Sequence, residues 1–90
     1  MSAMNAAVPN LSLRLSDLRR HQEAQVRSVE SHGDHDTIAQ RLRELGFVED
    51  EPVKIVAHGP MGKDPLLVQV GFTRFALRRA EAQRVIVTQR

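Results

Sequence analysis

Arg41-Leu42-Arg43-Glu44-Leu45-Gly46, followed by Gly59-Pro60-Met61-Gly62-Lys63-Asp64-Pro65, decides how this chain is read. The first stretch is the end of a short helix, and the second, with two prolines restricting its backbone, is a rigid loop between strands. Working back from Gly46, the residues Ile38, Leu42 and Leu45 fall at i, i+4 and i+7 and make one apolar stripe, while Gln40, Arg41, Arg43 and Glu44 face elsewhere. Thr37 and Gln40 have the spacing of a capping box, and Gly46 supplies a left-handed stop. A helix of about nine residues does not hold in water alone, so its stripe must lie on a sheet. None of these residues is placed like a catalytic group.

The flanking pattern supplies that sheet. After the helix, Val53 to Ala57, Leu66 to Phe72, Thr73 to Arg78 and Arg84 to Thr88 read as strands. Val53, Ile55 and Ala57 share one face, as do Leu66, Val68 and Val70 in the next strand, then Phe75 and Leu77. A turn near Gly71 to Thr73 makes the middle pair a hairpin. Arg79 to Gln83 offers about one helical turn before the last strand. Before the helix, Leu11, Leu13 and Leu15 alternate with polar residues as in a half-buried strand, and Ser16-Asp17-Leu18 reads as a turn. Gln25 to Ser31 is a second strand candidate in which Val26 and Val29 share a face only if a bulge sits near Ser28. The expected fold is mainly β with short helices: five or six strands bent into a small SH3-like barrel, with a helical insert between the first and second barrel strands.

Composition narrows the function. Ninety residues make one domain, and a chain of this size buries only about 60% of its unfolded surface, so there is one modest core and no separate substrate domain. Residues 1–10 read as a flexible tail and 11–90 as the domain. The absence of cysteine removes disulfides, zinc ribbons and thiol catalysis together. No apolar run approaches the roughly 18 residues of a membrane span, and the N-terminus lacks the basic start of a signal peptide; a cytoplasmic protein is expected. Thirteen basic and eleven acidic side chains give a formal charge of +2, too weak a field to argue for nucleic acid. The basic residues are unevenly placed: from Thr73 onward Arg74, Arg78, Arg79, Arg84 and Arg90 face the single acid Glu81.

Arg41-Leu42 with Leu45-Gly46, then Pro60-Met61-Gly62, then Ala76-Leu77-Arg78 with Glu81-Ala82 occur in the order in which the FeoA family carries such motifs. From about Leu15 to Val87 the chain resembles that family. The resemblance implies an SH3-like barrel, no catalytic residues, and an accessory role to the GTPase-bearing ferrous iron transporter FeoB. It also implies a cytoplasmic location, peripheral to the inner membrane through that partner. Two glycines usual in the family are replaced: the one before the first barrel strand falls on His21, and the one after the helix on Asp50 or a neighbour. Both are turn sites, and Asp and, less readily, His tolerate left-handed backbone. The Pro60 to Pro65 loop is one residue longer than the common form, with Lys63 as the addition.

Candidate contact residues follow. Arg41, Arg78 and Arg79 offer polar contacts beside an apolar patch near Met61, and Lys63 stands in the same loop as Met61. His32, Asp34, His35 and Asp36 are the one cluster of metal-ligand type, with His21 a weaker addition; imidazole and carboxylate suit zinc or ferrous iron. A polar loop before a helix N-terminus has the same composition, so adventitious zinc or ferrous iron is expected there and no required cofactor. Glycine spacing matches neither phosphate-binding motif and no nucleophile stands beside a base, so an enzyme is not expected. The alternative is a small-barrel nucleic-acid binder using the basic C-terminal half. Such barrels stack bases on exposed aromatics, whereas Phe47, Phe72 and Phe75 all lie in apolar patterns that assign them to the core. The protein is expected to be a monomer or weak homodimer that acts through a surface.

Overall fold

In the computed structural model, which describes residues 13–61 and 64–90, the alternation at Val53 to Ala57 belongs to a ten-residue strand. The elements run β1 (Leu13–Arg14), a 3-10 turn (Leu15–Asp17), β2 (Ala24–Val29), α1 (Thr37–Leu45), β3 (Pro52–Met61), β4 (Asp64–Val70), β5 (Thr73–Leu77), α2 (Arg79–Ala82) and β6 (Val85–Gln89). All six strands join one antiparallel sheet in the order β1-β6-β2-β3-β4-β5. The helical insert is present and lies between β2 and β3, the second and third strands in chain order rather than the first and second. The sheet is open rather than closed: no ladder joins β1 to β5 among the described residues, and α2 packs against both the 3-10 turn and β4. The expected tail and Leu11 lie outside the described residues. Among the described residues of the expected Leu11 to Leu15 strand, Leu13 and Arg14 pair with β6, and Leu15 turns into the 3-10 segment and is fully buried there.

The core is the inner face of this sheet covered by α1. Ala24, Val26, Val29, Val53, Ile55, Leu66, Val68, Val70, Leu77, Val85 and Val87 are buried. The bulge in β2 falls between Val26 and Ser28, and it lets Val26 and Val29 both face inward opposite Val87 and Val85. A second bulge was not foreseen. Ile55 pairs with Val68 but Ala57 pairs with Leu67, so Val56 is the extra residue and Ala57 leaves the face of Val53 and Ile55. His58, opposite buried Leu66, takes the inward register instead. The expected loop from Gly59 onward is also shorter: β3 continues to Met61 and β4 begins at Asp64, opposite Met61.

Helix α1 departs from its expected phase by one residue. Ala39 and Leu42 are fully buried, Leu45 is half-buried, and Ile38 is exposed. The cap is Asp36 rather than Thr37: its side chain accepts from the Ala39 N–H at 3.0 Å. Gly46, at φ 116°, ends the helix in the left-handed region, and the Phe47 N–H reaches back to the Leu42 carbonyl at 3.1 Å. That turn drives Phe47 into the core, where its ring lies 6.4 Å from that of Phe75.

The two positions read as replaced glycines are the described non-glycine residues with positive φ, His21 at 68° and Asp50 at 75°. Each N–H is held by the sheet, His21 to the Ile55 carbonyl at 2.7 Å and Asp50 to the Val26 carbonyl at 2.8 Å. Left-handed backbone costs an L-residue about 1–2 kcal/mol, and a glycine adds about 0.5–1 kcal/mol of unfolded-state entropy. His21→Gly is therefore expected to raise unfolding stability by up to about 1 kcal/mol, read from the urea midpoint; a fall in the midpoint would show that the imidazole makes a stabilising contact.

Candidate protein-contact surface

The three motif stretches, far apart in sequence, are brought together by α2. Glu81 is the link. Its Oε1 accepts the Arg78 N–H at 2.9 Å, capping this short helix, while its Oε2 takes the Arg41 guanidinium at 2.8 Å. The Arg79 N–H donates to Asp64 Oδ1 at 2.9 Å, which fastens the start of α2 to the first residue of β4, beyond the Pro60 loop. Beneath this junction Leu77 and Ala82 are buried. The backbones of Arg78 and Arg79 thus start the helix that Arg41 reaches, and the Arg41 side chain is committed: it ties α1 to α2. The Arg41 side chain remains more than half exposed, at 55%, while that of Glu81 is 17% exposed. The Met61 side chain and Lys63 lie outside the described part of the structure, so the apolar patch expected near Met61 is outside it too.

A second charged network binds the N-terminal strand, β2 and the loop before α1. Arg14 grips Glu30 with both terminal nitrogens, at 2.9 and 3.2 Å, and His32 Nε2 lies 3.2 Å from the same carboxylate. Asp36 accepts the Ala39 N–H, the His32 N–H at 2.7 Å and the Arg84 guanidinium. The Arg14 hydrogen bonds, then His32, hold Glu30 at about 2 against an ordinary 4.5. Backbone donors from Ala39 and His32, with Arg84, hold Asp36 at about 2 against 3.8. Because both folded-state values are depressed, the stability they confer is complete above about pH 4.5 and lost as pH falls toward 2. Urea midpoints measured from pH 6 to pH 2 are expected to fall across this window. Asp36→Asn, which keeps an acceptor for Ala39, should flatten the dependence; an unchanged slope would contradict the pairing.

This network takes up two members of the metal-type cluster. His32 turns to Glu30 and Asp36 is filled by backbone donors and Arg84, while Asp34 and His35 line, with Asp36 and Arg43, a shallow depression. His21 stands in its own turn beside Ile55. Among the described residues no three His, Asp or Glu side chains converge as a metal site would require. Phe72 corrects the assignment of all three aromatics to the core: Val70 pairs with Thr73, so Phe72 is a turn residue at the tip of the β4–β5 hairpin and is fully exposed. The tight pairing either side of Gly71-Phe72 was the available sign. One exposed ring with Phe47 buried and Phe75 half-buried does not make the row of stacking aromatics a single-strand binder uses.

Residues 13–89 match the FeoA domain model. Among solved structures, the zinc-complexed FeoA of Stenotrophomonas maltophilia, described as a unique procaryotic SH3 domain protein and a candidate ferrous iron transport activating factor, is 60% identical; the alignment covers 83% of this chain and 88% of that one, with a TM-score of 0.76. The FeoA protein of Chlorobium tepidum is 30% identical over 86% of this chain and 70% of that one, TM-score 0.74. T. acidophilum IdeR, 20% identical over 88% of this chain and 34% of its own, has a TM-score of 0.69 and shares the fold alone. No curated protein sequence matches. The fold is thus a small SH3-like β domain, and no helix among the described residues is long and apolar enough to cross a membrane.

Proposed function

The chain belongs to the FeoA domain family, and on that premise we propose that it is a non-catalytic accessory factor of ferrous iron uptake that contacts the cytosolic GTPase portion of a FeoB-type transporter. The observation that supports the contact surface is the convergence on α2: Arg41 and the Arg78 N–H share the carboxylate of Glu81, and Arg79 is fastened to Asp64. Arg78 and the outer part of Arg41 are exposed charges on a braced scaffold. Such charges at the rim of an interface tune encounter rate and specificity more than final affinity, which suits a weak, reversible partner. Met61 and Lys63, the contact candidates of the Pro60 stretch, are proposed to belong to the same surface, methionine being adaptable to varied apolar partners. Zinc or ferrous iron at His32, Asp34, His35 or His21 is proposed to be adventitious, since the carboxylates beside the first two are already engaged.

Titrating the purified protein into the cognate GTPase domain and into the full transporter, with nucleotide present, tests this reading. Binding to either, weakened by salt and by Arg78→Glu, is the expected result. Absence of binding to both would overturn the proposed partner.

A further inference from the structure

On the flank of the same helix lies a cleft that the motifs did not announce. Ser16, Asp17, Leu18, Arg19, Arg20, His58 and Arg79 line it. Its nitrogen-bearing side chains come from three separate parts of the chain: Arg19 and Arg20 from the segment after the 3-10 turn, His58 from β3 and Arg79 from the start of α2. Arg20 is set there by its backbone bridge to Ile55, His58 by the bulge at Val56, and Arg79 by its N–H bond to Asp64. None of these four side chains makes a hydrogen bond or ion pair among the described residues. The lone acid in the lining, Asp17, accepts the Arg14 N–H at 3.1 Å. Ser16 is a further sign: it is 7% exposed, lies between the cleft and the depression beside Arg14 and Glu30, and its hydroxyl makes no hydrogen bond among the described residues. A buried hydroxyl left without a partner is costly, and a ligand oxygen would satisfy it.

We propose that this cleft binds a phosphate-bearing anion. Guanidinium groups recognise phosphate and carboxylate through paired, charge-assisted hydrogen bonds. A single carboxylate offers two coplanar oxygens and one charge. A phosphate or diphosphate group presents oxygens on several sides with more charge, which suits three guanidiniums, an imidazole and a hydroxyl approaching from separate segments. The lining has little apolar surface, Leu18 being itself buried, so the charged group rather than an organic body is what is recognised. A cleft in which three arginines outweigh the one acid, Asp17, also concentrates such anions from solution. The phosphate can come from a soluble compound or from a lipid headgroup; the chemistry at the arginines is the same.

Backbone amide NMR of the full chain, titrated with inorganic pyrophosphate at constant ionic strength, tests the site without any transporter, so its failure is separable from failure of the proposed partner. The expected result is saturable shifts at Asp17 to Arg20, His58 and Arg79. Arg20→Gln and Arg79→Gln should each weaken binding at least tenfold, while Arg27→Gln, an exposed arginine on β2, leaves it unchanged; circular dichroism checks that each variant is folded. In a second arm, the same variants are sedimented with phosphatidylglycerol vesicles and with phosphatidylcholine controls. Arginine-dependent binding to the anionic vesicles with weak pyrophosphate binding would identify a headgroup as the source and still support the site. Non-saturating shifts with no arginine-dependent vesicle binding, equal loss in Arg27→Gln, or binding confined to an acidic peptide would overturn the proposal.

Discussion

Leu42→Ala is expected to lower the unfolding free energy by about 2–5 kcal/mol, the range for truncating a buried leucine. Leu42 has no exposed surface, and its carbonyl also receives the Phe47 N–H that closes the end of α1. The helix has few other ways to hold on: Ala39 is small, Leu45 is only half-buried, and Ile38 faces outward. The loss of side-chain volume would leave a cavity between α1 and the sheet. Chemical denaturation of the variant measures the effect. A midpoint equal to wild type would mean that α1 is not the lid of this core.

Gly59→Ala is the second large effect, and its cause is crowding rather than lost contact. A Cβ at Gly59 would sit 2.7 Å from the carbonyl oxygens of both Asp64 and Pro65, backbone atoms that cannot swing aside. The β3 and β4 backbones approach here because the ladder shifts between His58 and Met61. Forcing a methyl into such a gap costs about 1–3 kcal/mol, and the displacement should also pull Asp64 from the Arg79 N–H. The expected result is a lower midpoint together with amide shifts at Arg79, remote in sequence from the change. A normal midpoint with unshifted Arg79 would contradict the close approach.

Much of the architecture was legible because it is written in short-range periodicity. Val26 and Val29 are at a spacing no regular strand can bury, so a bulge near Ser28 was required and is present. Gly46 stops α1 in the left-handed region, and the turn positions His21 and Asp50 carry the positive φ that their glycine-like context demanded. What failed depended on contacts distant in sequence. Asp36 and Thr37 are both competent caps; Arg84, forty-eight positions away, engages Asp36 and favours it. The helix phase was set by size in the reading and by closeness in the structure, where Ala39 lets α1 approach the sheet and Ile38 is left outside. The bulge at Val56 was invisible because Val53, Ile55 and Ala57 alternate convincingly without it. Of the proposed site, Arg41, Arg78 and Arg79 were singled out through their motifs. The Arg41–Glu81 tie that joins those motifs, and the meeting of Arg19, Arg20, His58 and Arg79, follow from topology that no local spacing encodes.

Ferrous iron uptake tests the central claim most directly. Initial rates of labelled ferrous uptake would be compared in cells with the chain, cells lacking it, and cells restored with wild type or with Arg78→Glu, the variant being first shown to fold. The account predicts a rate that departs from normal when the chain is absent, returns with wild type and fails to return with Arg78→Glu. A rate unchanged by removing the chain would contradict it.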